Sequence, residues 1–104
     1  MAYNKSVRFE WAPNKDRANR QKHGLSFDQA TELFASDNDY LEIYDEAHSG
    51  DEDRFIAIGP IRAGVVVVVY TERQDDIIRI MSARRATRRE VRLLQQYFGG
   101  TDAG

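Results

Sequence analysis

A run of arginines near the C-terminal end of the chain is the segment best suited to bind an anion. Residues 82–89 read Ser-Ala-Arg-Arg-Ala-Thr-Arg-Arg, at the point where a strand is predicted to lead into the last helix. The unpaired N–H groups at a helix start favour anions, whereas cations placed there oppose the helix dipole. A local rule broken in this way is expected at a functional site. The segment therefore predicts phosphate binding by Arg84 and Arg85, and the alternative is an ion-pair network with the acidic residues 37–53.

A second candidate lies at the end of a predicted helix over residues 14–23, which Asn14 caps and Gly24 ends. This helix has almost no apolar face to bury. Its last turn contains Arg20, Lys22 and His23, and histidine is the side chain that ordinarily titrates near neutrality. The helix is interpreted either as a solvent-facing connector or as a surface presented to a ligand, with His23 or Lys22 able to transfer a proton.

The third candidate joins the ends of two predicted neighbouring strands. Tyr70, Thr71 and Arg73 end a strand rich in valine, and Arg79 follows on the next strand after a short turn. Side chains on antiparallel neighbours can lie close enough to act on one phosphate. The alternative is a cross-strand ion pair between Arg79 and Glu72.

Several kinds of site have no matching motif. The two histidines, His23 and His48, have no third ligand at the spacing of a zinc site. The acidic segment does not match a calcium-binding loop, and neither a glycine-rich phosphate loop nor a nucleophile elbow is present. We therefore expect no metal and no cofactor.

The chain has 104 residues, no cysteine and a net charge of −2. That total hides three blocks: residues 1–25 carry +4, residues 26–53 carry −10 and residues 54–104 carry +4. We expect the fold to bring residues 15–23 and 73–89 together on one electropositive face, with the acidic residues elsewhere. The length predicts one domain over residues 1–104, with a core at about 7–98 and a loose tail at 99–104. No apolar run approaches the roughly 20 residues that cross a bilayer, so we expect a cytoplasmic protein.

Sequence patterns predict an α+β domain in which helices lie on one face of a curved antiparallel sheet. The predicted strands cover residues 7–11, 40–44, 54–58, 65–70 and 77–82, the third of them stopped by Gly59-Pro60. Capping boxes at Ser26 and Thr87 begin a second helix and the last helix.

Taken together, the motifs from about residue 8 to residue 97 resemble the BrnT family of ribonuclease toxins. The resemblance depends on these segments: Phe9-Glu10-Trp11, Asn14-Lys15, Lys22-His23-Gly24-Leu25-Ser26-Phe27, His48-Ser49, Glu52, Arg54, Ile58-Gly59, Val69-Tyr70-Thr71, Arg79-Ile80 and Ser82-Ala83-Arg84-Arg85-Ala86-Thr87.

The resemblance implies a RelE-like fold and a toxin of a type II toxin–antitoxin pair that cleaves RNA and inhibits translation. It also implies a cognate BrnA-like ribbon-helix-helix antitoxin, in a 2:2 complex that binds operator DNA through the antitoxin. On the family pattern the active face comprises Lys22, His23, Arg54, Thr71, Arg73, Arg79, Arg84 and Arg85.

Metal-independent RNA cleavage needs a base for the 2′-OH, cations for the phosphorane and an acid for the leaving oxygen. Our hypothesis assigns proton transfer to His23 or Lys22, with Glu52 as a second candidate base. It assigns charge stabilisation to Arg84 and Arg85, with Arg73 or Arg79. Tyr70 or Trp11 would stack on a base. The RNA-contacting set comprises Arg20, Arg54, Tyr70, Thr71, Arg73, Arg79 and Ser82. A non-catalytic module that binds RNA or a protein through the same basic face is the alternative.

Overall fold

The computed structural model describes residues 7–35, 39–74 and 76–99 of the chain. Its strands are β1 (Arg8–Glu10), β2 (Leu41–Tyr44), β3 (Phe55–Ile61), β4 (Gly64–Arg73) and β5 (Ile77–Arg85). Its α-helices are α1 (Pro13–His23), α2 (Phe27–Ala30), α3 (Glu32–Ala35) and α4 (Arg88–Leu94), with a 3₁₀ turn at Glu46–His48 and a π-helical turn at Gln95–Gly99. Apart from Gly99, the predicted tail lies outside the described residues.

The five strands form one sheet in the order β1-β5-β4-β3-β2. Strands β2 to β5 are antiparallel neighbours, whereas β1 pairs with β5 in parallel. The valine-rich β4 lies in the middle, and Val66, Val67 and Val68 are buried. This confirms the α+β class, and the five consecutive valines of β4 are typical of a strand buried on both faces.

Opposite faces of the sheet carry separate apolar clusters. The first cluster packs Phe27, Leu33 and Phe34, from α2 and α3, against residues such as Val68 and Ile80. The second cluster joins Leu41, Ile58 and Val67, with Leu94 of α4 packed against it. We call these the α2–α3 face and the α4 face. The prediction that all helices lie on one face is therefore wrong, because the last helix covers the opposite one.

Strand β3 does not stop at Gly59-Pro60, as the sequence suggested, but continues to Ile61. Pro60 pairs with Val65 of β4 and lies beyond the part of β3 that pairs with β2, so its missing N–H faces an open edge. Gly59 permits a close approach, since a Cβ there would lie 2.7 Å from both Leu33 Cδ1 and Tyr40 Cβ.

Strand β5 continues past its predicted end at residue 82 to Arg85. A bulge interrupts its pairing with β4: Val69 pairs with Ser82, and Tyr70 pairs with Ile80. Met81 is thus the extra residue. Because of it, Ile80 and Ala83 both contribute to the cluster on the α2–α3 face.

Helix α1 begins without the side-chain cap predicted at Asn14. Its N-cap is Ala12, and Pro13 occupies the first turn, where the absence of a proline N–H costs no hydrogen bond. Gly24 ends the helix as predicted, with a φ of 71° that suits glycine. None of the described helices has the length and apolar character needed to cross a membrane.

Candidate active site

Most of the predicted phosphate-binding residues project from the α4 face of the sheet. Residues paired directly across antiparallel strands share a face, which places Thr71 with Arg79, Val69 with Ser82 and Val67 with Arg84. Val67 belongs to the cluster on the α4 face. Side chains alternate along β4, so Val69 and Thr71 lie on the same face as Val67. Their partners Ser82 and Arg79 therefore share the α4 face with Arg84.

A groove of about 340 Å³ lies among the polar side chains next to this cluster. Its lining comes from four parts of the chain: Lys15 of α1, Asp45, His48 and Arg54 of the loop between β2 and β3, Val69 of β4, and Met81 and Ser82 of β5. No ion pair between described residues involves Lys15 or Arg54. The groove therefore offers two available cations, a hydroxyl and an imidazole to one ligand.

The loop that carries His48 is closed by hydrogen bonds between its two ends. The backbone N–H of Asp45 donates to the carbonyl of Arg54 at 2.8 Å. Ser49 Oγ donates to the Asp45 carbonyl at 2.6 Å and accepts from the Arg54 N–H at 2.9 Å. His48 Nδ1 lies 3.0 Å from Asp45 Oδ2. The loop thus fixes both the imidazole and the start of β3.

Arg73 and Arg79 share one carboxylate oxygen. Both donate to Glu10 Oε2, at 2.9 and 3.0 Å. The ion-pair partner of Arg79 is therefore Glu10 of β1, not Glu72 as the alternative had it. A second groove beside this cluster, of about 540 Å³, is lined by Glu10, Glu52, Glu72, Arg73, Gln74 and Ile77. Glu52 consequently lies near Arg73 and does not line the groove around His48.

Arg84 is held by the first turn of α4. Its two terminal nitrogens donate to the two oxygens of Glu90 at 2.8 Å each. Because Arg84 donates these bonds, the pKa of Glu90 falls to about 2 and the pKa of Arg84 rises. Glu90 also completes the capping box with Thr87. The partner of Arg84 is therefore Glu90, and no ion pair between described residues joins Arg84 to the acidic segment 37–53 that the alternative named.

Arg85 faces away from Arg84. It pairs with Val66 of the α2–α3 face, and its guanidinium donates to the Ala63 carbonyl at 2.6 Å. The expectation that Arg84 and Arg85 stabilise one phosphorane together is therefore wrong for this geometry.

Tyr70 cannot stack on an RNA base. Its side chain is fully buried on the α2–α3 face against the rings of Phe34 and Phe55, and its hydroxyl donates to Glu42. Trp11, the other stacking candidate, packs half-buried against the edge of Phe27. The prediction of an RNA contact by Tyr70 is wrong because the strand turns this residue into the core.

Thr71 lies beneath the surface of the α4 face, with 1% of its area exposed. Its Oγ1 and the Nε of Arg54 are buried without a hydrogen-bond partner among the described residues. Buried polar atoms of this kind are rare in folded proteins, and each calls for an explanation. Arg54 lines the groove, whereas Thr71 does not and is buried two residues beyond Val69 of its wall.

Helix α1 is fixed to β5 through Asn19, which is 7% exposed. Asn19 Nδ2 donates to the Ala83 and Leu25 carbonyls, and Oδ1 accepts from the Ala83 N–H. These bonds bring α1 beside β5, as expected for residues 15–23 and 73–89. Lys22 is exposed and His23 half-buried one turn beyond Asn19, and neither lines a groove described above. Arg20 is 54% exposed and pairs with Asp16.

Comparisons with known proteins identify the family and the fold of the chain. The family model described as "Ribonuclease toxin, BrnT, of type II toxin-antitoxin system" matches residues 11–90. The chain belongs to the BrnT family.

One solved structure similar to the chain is a crystal structure of the ribonuclease toxin BrnT of Brucella abortus. It shares 20% sequence identity, and the match covers 79% of this chain and 99% of that one, with a TM-score of 0.57. At this identity the likeness establishes the fold. No curated protein matches the sequence significantly.

Four residues of this BrnT family member escaped functional assignment from sequence: Glu10, Lys15, Asn19 and His48. Glu10, Lys15 and His48 lie within the motifs that carry the family resemblance, which was the available signal. For Asn19 the available signal was the helix itself. In a helix with almost no apolar face, a polar residue that faces the sheet suggests a buried, hydrogen-bonded anchor. No group of three or more His, Asp or Glu side chains in the described regions is arranged to hold a metal.

Proposed function

We propose that this chain is a metal-independent endoribonuclease that cleaves mRNA in the cytoplasm and so inhibits translation. The observation that carries this proposal is the groove on the α4 face, where Lys15 and Arg54 make no ion pair within the described residues and lie with His48 and Ser82. Cleavage of a phosphodiester requires this combination of fixed cations, a hydrogen-bonding hydroxyl and a group that transfers a proton.

RNA supplies its own nucleophile, since the 2′-oxygen can attack the adjacent phosphorus and expel the 5′-oxygen. The crowded phosphorane gains negative charge, and Lys15 and Arg54 would balance that charge from the walls of the groove. Arg is suited to this role because its planar fork can donate two parallel hydrogen bonds to phosphate oxygens. Because the Nε of Arg54 is buried, hydrogen bonds to a phosphate would come from the terminal nitrogens of its guanidinium.

Arg73 and Arg79 would hold phosphates that flank the cleaved one. Sharing Glu10 leaves this trio with one net positive charge. Lys22, His23 and Arg20 extend the basic surface along α1, and Glu52 lies at the other groove. Their direct roles stay predictions from the sequence.

The family also supports an antitoxin partner. We infer that it is a BrnA-like ribbon-helix-helix protein in a 2:2 complex that binds operator DNA through the antitoxin. Co-expression with such a protein, encoded in the adjacent reading frame, should restore growth to cells arrested by this chain. Arrest that persists despite soluble antitoxin would contradict the pairing.

The ribonuclease assignment is tested by incubating the purified chain with RNA in excess EDTA. We expect fragments with 2′,3′-cyclic phosphate and 5′-OH ends, and Arg54→Ala should slow their formation by about 10²-fold or more. The matched control is Arg17→Ala, which removes an exposed arginine of α1 outside both grooves described above. RNA that stays intact while binding tightly would instead identify the non-catalytic module.

A further inference from the structure

The loop after β2 holds an imidazole and a carboxylate in a fixed pair. His48 Nδ1 lies 3.2 and 3.0 Å from the two oxygens of Asp45. A carboxylate at this distance can only accept, so Nδ1 carries the proton and donates it. The Asp45 side chain is 15% exposed, whereas that of His48 is 67% exposed. The pair is therefore anchored at the carboxylate and open at the ring.

The other ring nitrogen, Nε2, remains available because Asp45 engages Nδ1. In a neutral ring whose Nδ1 is protonated, Nε2 has the lone pair that accepts a proton. The groups that share the groove with this ring are Lys15 from α1, Arg54 from the loop before β3 and Ser82 from β5. His48, which carries this acceptor, thus lines the same groove as the two cations assigned to the phosphate.

We propose that His48 is the general base of the cleavage reaction and that Asp45 is the residue that positions it. This inference rests on the proposed ribonuclease function. Nε2 takes the proton of the 2′-OH as the 2′-oxygen forms its bond to phosphorus, and the bond from phosphorus to the 5′-oxygen breaks. The leaving 5′-oxygen takes a proton from water at the open side of the groove, and the imidazolium later returns its proton to water. Asp45 fixes the tautomer and stabilises the imidazolium while it exists.

This assignment differs from the one that the sequence favoured. His23 is half-buried at the end of α1, outside the groove that contains Lys15 and Arg54. No carboxylate among the described residues pairs with it. His48, by contrast, has an orienting carboxylate and shares the groove with both cations.

The test compares His48→Ala with the wild-type chain by RNA cleavage rate and by affinity for a non-cleavable 2′-O-methyl RNA. We expect kcat to fall by about 10²–10⁴-fold, with the affinity for the 2′-O-methyl RNA unchanged. Added imidazole should restore part of the rate of His48→Ala, because a free base can enter the space left by the ring, and should leave wild type unaffected.

Two further variants separate chemistry from loop structure. His48→Asn keeps an N–H donor near the position of Nδ1, so it can hold Asp45 but cannot accept the proton, and should be as slow as His48→Ala. Asp45→Asn should lower kcat while leaving KM unchanged. Thermal unfolding of each variant checks the fold.

The outcomes distinguish the two proposals. A wild-type chain that never cleaves RNA would overturn the ribonuclease function and with it the role of His48. A cleaving wild type with a fully active His48→Ala would overturn only the assignment of His48. Full activity in His48→Asn, or imidazole rescue of His23→Ala instead of His48→Ala, would also overturn it.

Discussion

Arg84 and Arg85 are neighbours in sequence but act on different surfaces. Side chains on a strand alternate between its two faces, so Arg84 reaches Glu90 on the α4 face while Arg85 reaches the Ala63 carbonyl. The bidentate pair between Arg84 and Glu90 ties the end of β5 to the capping box of α4. Arg84 therefore holds the start of the last helix, and its charge is already partly balanced before RNA arrives.

This pair predicts a pH-dependent stability. The pKa of Glu90 is about 2 in the folded chain against an ordinary 4.5, so the stabilisation is fully present above pH 4.5 and is lost as the pH falls toward 2. The Arg84 side chain is 40% exposed and its charge is screened by solvent. Glu90→Gln should therefore lower the free energy of unfolding by about 1 kcal/mol at pH 7. Urea unfolding at pH 7 and pH 3 measures the difference.

The control is Glu46→Gln, which neutralises an exposed carboxylate of the 3₁₀ turn. We expect the gap between Glu90→Gln and wild type to narrow at pH 3. If the difference in free energy of unfolding between Glu90→Gln and wild type were equal at pH 7 and pH 3, Glu90 would stabilise the chain without titrating in this pH range.

At the scale of elements, the site is assembled by the placement of α1 and by the bulge in β5. Asn19 attaches α1 to the β5 backbone at Ala83, one turn away from Lys15. The bulge at Met81 changes the alternation along β5, so that Arg79 shares a face with Ser82 and Arg84. Without the extra residue, Arg79 would share a face with Arg85.

The attachment of α1 can be tested with Asn19→Ala. The substitution leaves the Ala83 N–H and two carbonyls without their partner, which should lower the free energy of unfolding by about 2–4 kcal/mol. RNA cleavage at a temperature where the variant is still folded should also fall, because Lys15 is no longer held at the groove. Urea unfolding and cleavage rate are the two measurements, with Arg17→Ala as the control on the same helix. Unchanged cleavage by a destabilised variant would mean that α1 does not position the site.

For the whole molecule, the expected separation of charge is wrong. The basic segments 15–23 and 73–89 do come together through α1 and β5, but acidic side chains lie among them. Asp16 pairs with Arg20, Glu10 with Arg73 and Arg79, and Glu90 with Arg84. The proposed RNA site therefore offers phosphate a few available cations and not a broad positive field.

This distribution predicts a weak salt dependence of RNA binding. Single-stranded nucleic acid loses about 0.7 of a log unit in affinity per log unit of salt for each phosphate neutralised, so Lys15, Arg54 and the net charge at Arg73 and Arg79 give a slope of about −2. Titration of a 2′-O-methyl RNA at several KCl concentrations measures the slope. Replacing both Lys15 and Arg54 by alanine should reduce it to about −0.7. A wild-type slope near −4 would mean that the ion pairs open when RNA binds.

The sequence by itself determined the α+β class, the central valine strand, both capping boxes and the BrnT family, because each depends on local pattern or on motif identity. It also placed Arg54, Arg79 and Ser82 among the candidate ligands, and the structure brings these onto one face. Only the tertiary structure decided which candidates share that face, since a single extra residue in β5 changes which side chains point the same way.

The tertiary structure likewise decided which charges are already paired, because Glu10 and Glu90 meet arginines that are distant in sequence or lie across a helix start. The tertiary structure also identified His48 as a candidate base. An imidazole becomes such a candidate when the fold places a carboxylate and a groove beside it, and its position in the chain shows neither.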